Sequence, residues 1–335
     1  MAYLGYSQMK GIKTLLEKLR QIESIFMKKY HIDDIYSNSK IYEILIANRF
    51  GHTLIPGHSG SRDAKDKDNN EIEYKHFKES SSNHTWTFND FSTATIAKLK
   101  KTPWVYFVYV DDCKYAFPGR ISWYFKVRGQ DIAAFLAKAT QKITNKRKMI
   151  NVSVRNLEGI NYQKIILPEF NFLSGNYGKE LYSIVETIHK LEEKTKTHGL
   201  LTSNKIWELL LAMHLKHTVN SEQGGREGAH DASDKDGNLY EYKISKQYSW
   251  NFQDISDNVL RKYLSDKQII LAVVNKTSLS IKSIYAADPK VTVSFLKAKL
   301  NDKIRRYAAQ NKEIRRLQIS ISKGDLKKIK AVQVL

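Results

Sequence analysis

Gly228-Ala-His-Asp-Ala-Ser-Asp-Lys-Asp-Gly-Asn-Leu-Tyr-Glu-Tyr-Lys243 has a near twin earlier in the chain, Gly60-Ser-Arg-Asp-Ala-Lys-Asp-Lys-Asp-Asn-Asn-Glu-Ile-Glu-Tyr-Lys75. Each phrase holds an Asp, nine residues, then Glu-x-Lys: Asp231, Glu241 and Lys243 in one, Asp63, Glu73 and Lys75 in the other. The central Asp-Lys-Asp-Gly-Asn and Asp-Lys-Asp-Asn-Asn are turn chemistry and predict a tight hairpin between two short strands. Glu and Lys two apart on a strand share a face, so two carboxylates and an ammonium converge. Paired carboxylates suit a hard cation such as Mg2+, which keeps several of its waters and can stabilise charge on a phosphate oxygen. An ammonium beside them can orient a nucleophile or help neutralise a transition state.

Working outward, the whole chain reads as one repeat written twice. Lys40-Ile-Tyr-Glu-Ile-Leu-Ile-Ala answers Lys205-Ile-Trp-Glu-Leu-Leu-Leu-Ala, and His52 and His217 follow at similar distances. After each Asp/Glu/Lys phrase, Trp86, Phe88 and Asp90 answer Trp250, Phe252 and Asp254; the apolar run at 104 to 110 answers the one at 269 to 274. The copies close on the stretches after Arg147 and Ile314. The expected organisation is residues 1–167 as a first repeat, 168–178 as a Pro-, Gly- and Asn-containing connector, and 179–335 as a second repeat. Apolar spacing predicts helices over 11 to 30 and 179 to 196, then helices carrying Glu43 and Glu208, with Ser39 and Ser203 as candidate caps. Late helices are expected over 129 to 145 and 290 to 310.

At 335 residues the chain is long enough for two cores, and its 41% hydrophobic content is that of a globular protein. Its formal net charge of +20 points to a polyanionic partner rather than a small metabolite. No apolar run is long enough to span a bilayer, no Lys-rich amphipathic helix demands a membrane surface, and the N-terminus shows no signal-peptide core. The single cysteine, Cys113, follows Asp111 and Asp112 in an expected turn, can form no internal disulfide, and suits a reducing compartment.

The duplicated Asp-x9-Glu-x-Lys resembles the signature of the PD-(D/E)XK nuclease superfamily, to which many type II restriction endonucleases belong. The proline that precedes the Asp in that signature is missing from both copies. The resemblance implies an α/β (α+β) fold with two tandem nuclease-like domains, each a mixed central sheet flanked by helices, arranged as a pseudodimer. It implies Mg2+, with Mn2+ as a substitute, held by Asp63 and Glu73 and by Asp231 and Glu241, with Lys75 and Lys243 as catalytic lysines. Upstream helix acids complete such sites in the superfamily, and Glu43 and Glu208 resemble them; the competing reading is an exposed helix face. The implied activity is site-specific cleavage of double-stranded DNA by a single-chain, monomeric, cytoplasmic enzyme of a bacterium or archaeon, alongside a cognate DNA methyltransferase.

Around this set several readings stay open. Glu71 competes with Glu73, but its counterpart is Leu239. Asp66, Asp68, Asp234 and Asp236 suit bonding to turn amides. Arg62, its counterpart His230, Arg226, Lys78 and Lys246 are candidate DNA contacts. Gly57 and Gly60 permit either a close phosphate approach or a simple turn, and the polar loop Ser80-Ser-Ser-Asn83 suits a role in specificity. Trp86, Phe88, Trp250 and Phe252 read as core in preference to base-stacking platforms. Rival functions are a homing, repair or structure-selective nuclease of the same superfamily, a non-catalytic DNA-binding protein, and a basic scaffold for an acidic protein. A steep fall of DNA affinity with salt would argue against the last.

Overall fold

The computed structural model describes residues 6–37, 40–56, 62–89, 93–115, 118–141, 149–201, 204–220, 230–310 and 317–335. Ser39, Gly57, Gly60, Asp90, Ser203 and Arg226 lie outside the described residues. The chain opens with α1 (Tyr6–Ile25), a π-helical turn (Phe26–Tyr30), α2 (Lys40–Phe50), and strands β1 (Thr53–Leu54), β2 (Ala64–Lys65), β3 (Glu71–Lys78) and β4 (Trp86–Phe88). It continues through α3 (Thr93–Lys101), β5 (Trp104–Val110), β6 (Trp123–Arg128), α4 (Gly129–Thr140), β7 (Ile150–Val152), α5 (Val154–Glu158) and β8 (Tyr162–Ile166). The order then recurs in outline: α6 (Gly178–Thr195), α7 (Lys205–Leu215), β9 (Thr218–Val219), β10 (Ala232–Ser233), β11 (Leu239–Ser245), β12 (Ser249–Phe252), α8 (Asp257–Ser265), β13 (Gln268–Asn275), β14 (Ser280–Ala287), α9 (Pro289–Ala309), β15 (Ile319–Ser322) and β16 (Val332–Gln333).

Two six-stranded mixed sheets result, ordered β1-β2-β3-β5-β6-β8 and β9-β10-β11-β13-β14-β16. In each, an antiparallel hairpin runs into a long strand that pairs in parallel with the next, Glu73 lying opposite Val105 and Glu241 opposite Ile269. The parallel pair needs a crossover, supplied by α3 in one case and α8 in the other. The sheet interiors read as continuous apolar runs because β5 and β13 are covered on both faces: Val105, Phe107, Val108, Ile269, Leu271 and Ala272 are fully buried. Glu73 and Glu241, each 6% exposed, are therefore carboxylates set into an apolar sheet, a placement that costs stability and calls for a functional reason.

By contact the chain forms two compact units. The first comprises Ile25–Ile35 with Ser39–Glu186, the second Met1–Ser24, Tyr36–Asn38 and Thr187–Leu335. These are not the repeats delimited at 167 and 179, because the N-terminal helix is grouped with the second sheet. Other boundaries also differ from expectation: α4 ends at Thr140, α1 gives way to the π turn at Phe26, and α3, α8, β6, β8, β14 and β16 had no predicted counterpart.

Two small ribbons close the cores. β4 pairs antiparallel with β7, and β12 with β15, but these strands do not close the units as expected, since β8 and β16 follow them and complete the two large sheets. Trp86 and Trp250 are fully buried there, each donating its indole N–H to a strand carbonyl, Val108 O at 3.0 Å and Ala272 O at 2.8 Å. They pack with Phe88 and Phe252 as core, as expected from sequence. Trp250→Ala leaves a large void and removes the indole's bond to Ala272 O, and is expected to lower stability by about 3–5 kcal/mol, read as a shift in urea midpoint.

Candidate active site

The hairpins owe their shape to local chemistry. Asp66 Oδ1 accepts from the amides of Asp68 and Asn70, both at 2.9 Å, and Asp234 Oδ1 accepts from Asp236 at 2.9 Å and Asn238 at 3.0 Å. The fourth turn residue needs a left-handed backbone and is Asn69 (φ 66°) in one copy and Gly237 (φ 79°) in the other, the residue types that tolerate it best. Asp66 and Asp234 thus build the turns, as their spacing suggested.

The turn sets Asp63 and Asp231 beside the long strand. Asp63 N donates to Ile72 O at 2.8 Å, and its Oδ2 accepts from Tyr74 N at 2.7 Å. Asp231 repeats both bonds, to Tyr240 O at 3.0 Å and from Tyr242 N at 2.7 Å. On the strand, Lys75 Nζ donates to Glu73 Oε1 and Lys243 Nζ to Glu241 Oε1. The Lys75 ammonium lies 5.2 Å from the Phe88 ring, and that of Lys243 lies 5.5 Å from Phe252 and 5.4 Å from Tyr263.

Crowded charge shifts these groups. Burial, then Glu73 and Glu43, push the Asp63 carboxyl well above its usual range, with Lys75 and the Tyr74 amide pulling the other way. Burial, then Glu241 and Glu208, push Asp231 up to about 8. Burial alone would lower Lys75 and Lys243, but Glu73 and Asp63 in one site, and Glu241, Tyr263 and Asp231 in the other, hold both above the ordinary lysine value. Both lysines are ammonium ions in this arrangement, suited to neutralising charge and unsuited to removing a proton.

The helix acids sit at the edge of this cluster. Glu43 Oε2 takes Lys40 Nζ, and Glu208 Oε2 takes Lys205 Nζ at 2.5 Å. The two glutamates are partly shielded and stand near enough for their charges to act on Asp63 and Asp231. Their lysine partners escaped the sequence reading, though the repeated Lys-x-x-Glu of residues 40 to 43 and 205 to 208 carried the signal. Among the described residues, no group of three or more His, Cys, Asp or Glu side chains stands ready as a complete metal cage. Two carboxylates still fit a cation that keeps its waters, and the Glu73 Oε2 atom, buried without a hydrogen bond, is the kind of oxygen such an ion satisfies.

The remaining candidates divide. Glu71 is taken by Arg62 at 2.9 Å, which leaves Glu73 as the ligand candidate in the first copy. His230 instead meets Asp266 Oδ1 at 2.5 Å. His52 Nδ1 contacts the Tyr74 hydroxyl at 2.6 Å and His217 Nδ1 that of Tyr242 at 2.8 Å. Burial brings His52 down to about 4 and lowers His217, so both are neutral packing groups at pH 7. Lys78 lies 3.7 Å from Asp112 and over the Tyr42 ring, while Lys246 is exposed just past β11. In the polar loop, Ser80 donates through N and Oγ to Asp112.

A hairpin Asp with Glu-x-Lys on the adjoining strand of a mixed sheet, behind a helix acid, is the arrangement that the resemblance to PD-(D/E)XK nucleases implied. Residues 7–161, just under half of the chain, match the family model described as Restriction endonuclease PvuII. That match spans the first sheet's Asp63, Glu73 and Lys75, so this part of the chain is similar to a restriction endonuclease. No curated protein matches the chain. Among the described residues no helix is long and apolar enough to cross a membrane.

Proposed function

We propose that the protein is a Mg2+-dependent, sequence-specific endonuclease of the type II restriction class, with one phosphodiesterase site per repeat and one DNA strand cut per site. The observation that carries this reading is the recurrence, bond for bond, of the Asp63/Glu73/Lys75 hairpin as Asp231/Glu241/Lys243. In this reading the two halves serve as a pseudodimer within a functional monomer, with repeats at 1–167 and 179–335 and a connector between them. Their divergence outside the motif suits an asymmetric target.

Asp63 with Glu73, and Asp231 with Glu241, would hold the cation, which when bound supplies a more acidic water and positive charge at the scissile phosphate. Lys75 and Lys243 place a permanent ammonium beside that phosphate and stabilise the charge that develops there. Glu43 and Glu208 keep Lys40 and Lys205 in place while adding negative potential for the cation. Arg62, His230, Arg226, Lys78 and Lys246 are proposed DNA contacts within a chain of net charge +20. Arg62 would exchange Glu71 for a phosphate to act so. A host carrying such an enzyme must protect its own DNA, so a cognate methyltransferase and a cytoplasmic location belong to the proposal.

Purified protein incubated with unmodified bacteriophage DNA is expected to give discrete fragments with Mg2+ and none with EDTA. A smear would remove the sequence specificity from this reading, and intact DNA with Mg2+ would remove the catalysis.

A further inference from the structure

The two sites are not equivalent behind their glutamates. In the second unit Lys243 holds Glu241 Oε1, and Lys262 Nζ of α8 stands 3.5 Å from the other oxygen, Oε2. Lys262 is itself shielded, its side chain 19% exposed. Just beyond α8 comes Asp266, whose side chain is fully buried; Oδ1 meets His230 and Oδ2 is buried without a hydrogen bond. Lys262 and Glu241 both lie near enough for their charges to act on Asp266. Lys262 thus sits within reach of two buried carboxylates, a setting that holds an ammonium firmly.

The first unit has no such arrangement among its described residues. Matching the end of α3 at Lys101 to the end of α8 at Ser265 puts Lys98 opposite Lys262 and Thr102 opposite Asp266. Lys98 is exposed, and Thr102 is buried with a hydroxyl that caps its own helix at Lys98 O. Where His230 faces Asp266, Arg62 faces Glu71. Glu73 Oε2 and Glu241 Oε2 are both buried without a hydrogen bond, but that of Glu241 already has a cation beside it.

We infer that the two sites take up divalent cations with different affinity, the first ahead of the second, because Lys262 competes for the Glu241 oxygen, whereas its counterpart in Glu73, buried without a hydrogen bond, has no second ammonium beside it among the described residues. The inference rests on the metal-dependent reading proposed above. A divalent ion entering the second site must displace or tolerate an ammonium within ion-pair distance, a like-charge penalty that the described residues of the first site do not impose. The chain therefore loads in order, and at limiting cation only the first site is filled.

The test counts bound Mn2+ on the full chain without DNA, by electron paramagnetic resonance of the free ion. Glu241→Gln, which leaves the first site, is expected to retain the tighter class of binding. Glu73→Gln, which leaves the second, is expected to retain only a weaker class. Adding Lys262→Met to Glu73→Gln should tighten that class by about tenfold or more, and Lys262→Gln should do the same where methionine disturbs the packing of α8. Equal affinity in the two single variants, or no tightening with either Lys262 substitution, overturns the inference while leaving the metal reading intact. Absence of Mn2+ binding in the wild-type chain overturns both.

Discussion

With one strand cut per site, as proposed, Lys243→Ala is expected to leave a nicking enzyme, so that supercoiled plasmid accumulates as open circle instead of linear DNA. The physical reason lies in what the ammonium does where it is held. Lys243 is kept charged by Glu241, Tyr263 and Asp231 against the lowering effect of burial, and its side chain is 19% exposed. Alanine removes a preorganised positive charge from the second site, which should slow that site by about 10²–10³-fold. The first site has its own lysine, Lys75, held by Glu73 in the same way, and keeps its rate. Lys75→Ala should give the complementary nick, located by sequencing across the cut, and the double variant should cut neither strand. Linear product at the wild-type rate, or loss of all cleavage from Lys243→Ala alone, would sink the assignment of one strand to each site. A thermal melt of each variant distinguishes a lost charge from a lost fold, since removing the lysine also leaves a buried glutamate with less compensation.

The Asp/Glu/Lys hairpin was legible in the sequence as a structure because its determinants are local. Asp66 and Asp234 fold their own turns, Asn69 and Gly237 supply the left-handed residue, and strand alternation fixes which side chains share a face. The recurrence of Trp86 and Trp250 likewise marked the core, since a tryptophan that returns with its phenylalanine neighbour in both copies is read as packing. What failed to show was set by distant contact. Lys262 and Asp266 lie well after the phrase that holds Glu241, and nothing in the spacing announces that α8 brings them back to it. The edge strands β8 and β16 are short or polar, mostly exposed, and show no alternation by which to find them. α3 is nine residues long and ends in a run of lysines, too brief for helical periodicity to stand out. The grouping of the N-terminal helix with the second sheet is a purely tertiary fact: repeat boundaries follow sequence likeness, whereas compact units follow contacts.

Asp231→Asn should stabilise the cation-free protein at alkaline pH while removing a proposed ligand from the second site. Asp231 ordinarily titrates near 3.8, and in the folded chain burial, Glu241 and Glu208 push it up to about 8. Between those values the native state holds a proton that the unfolded state has released, so its contribution to stability is complete below the lower value and is lost as pH rises through the upper one. A separation of about four pH units corresponds to a contribution on the order of 5 kcal/mol. Asparagine keeps an oxygen to accept from Tyr242 N but carries no charge at any pH. The melting temperatures of variant and wild type should therefore lie close at pH 5 and separate as the pH approaches 9, the variant being the more stable. Mn2+ or Mg2+ at pH 9 should then close the gap from the wild-type side, because a cation stabilises the ionised carboxylate that burial penalises and gives the variant little. A gap that is constant with pH, or a variant that melts below the wild type at pH 9, would show that the carboxylate is already compensated by Lys243. The site would then be an ion-paired structural cluster, with no charge held in reserve for a metal.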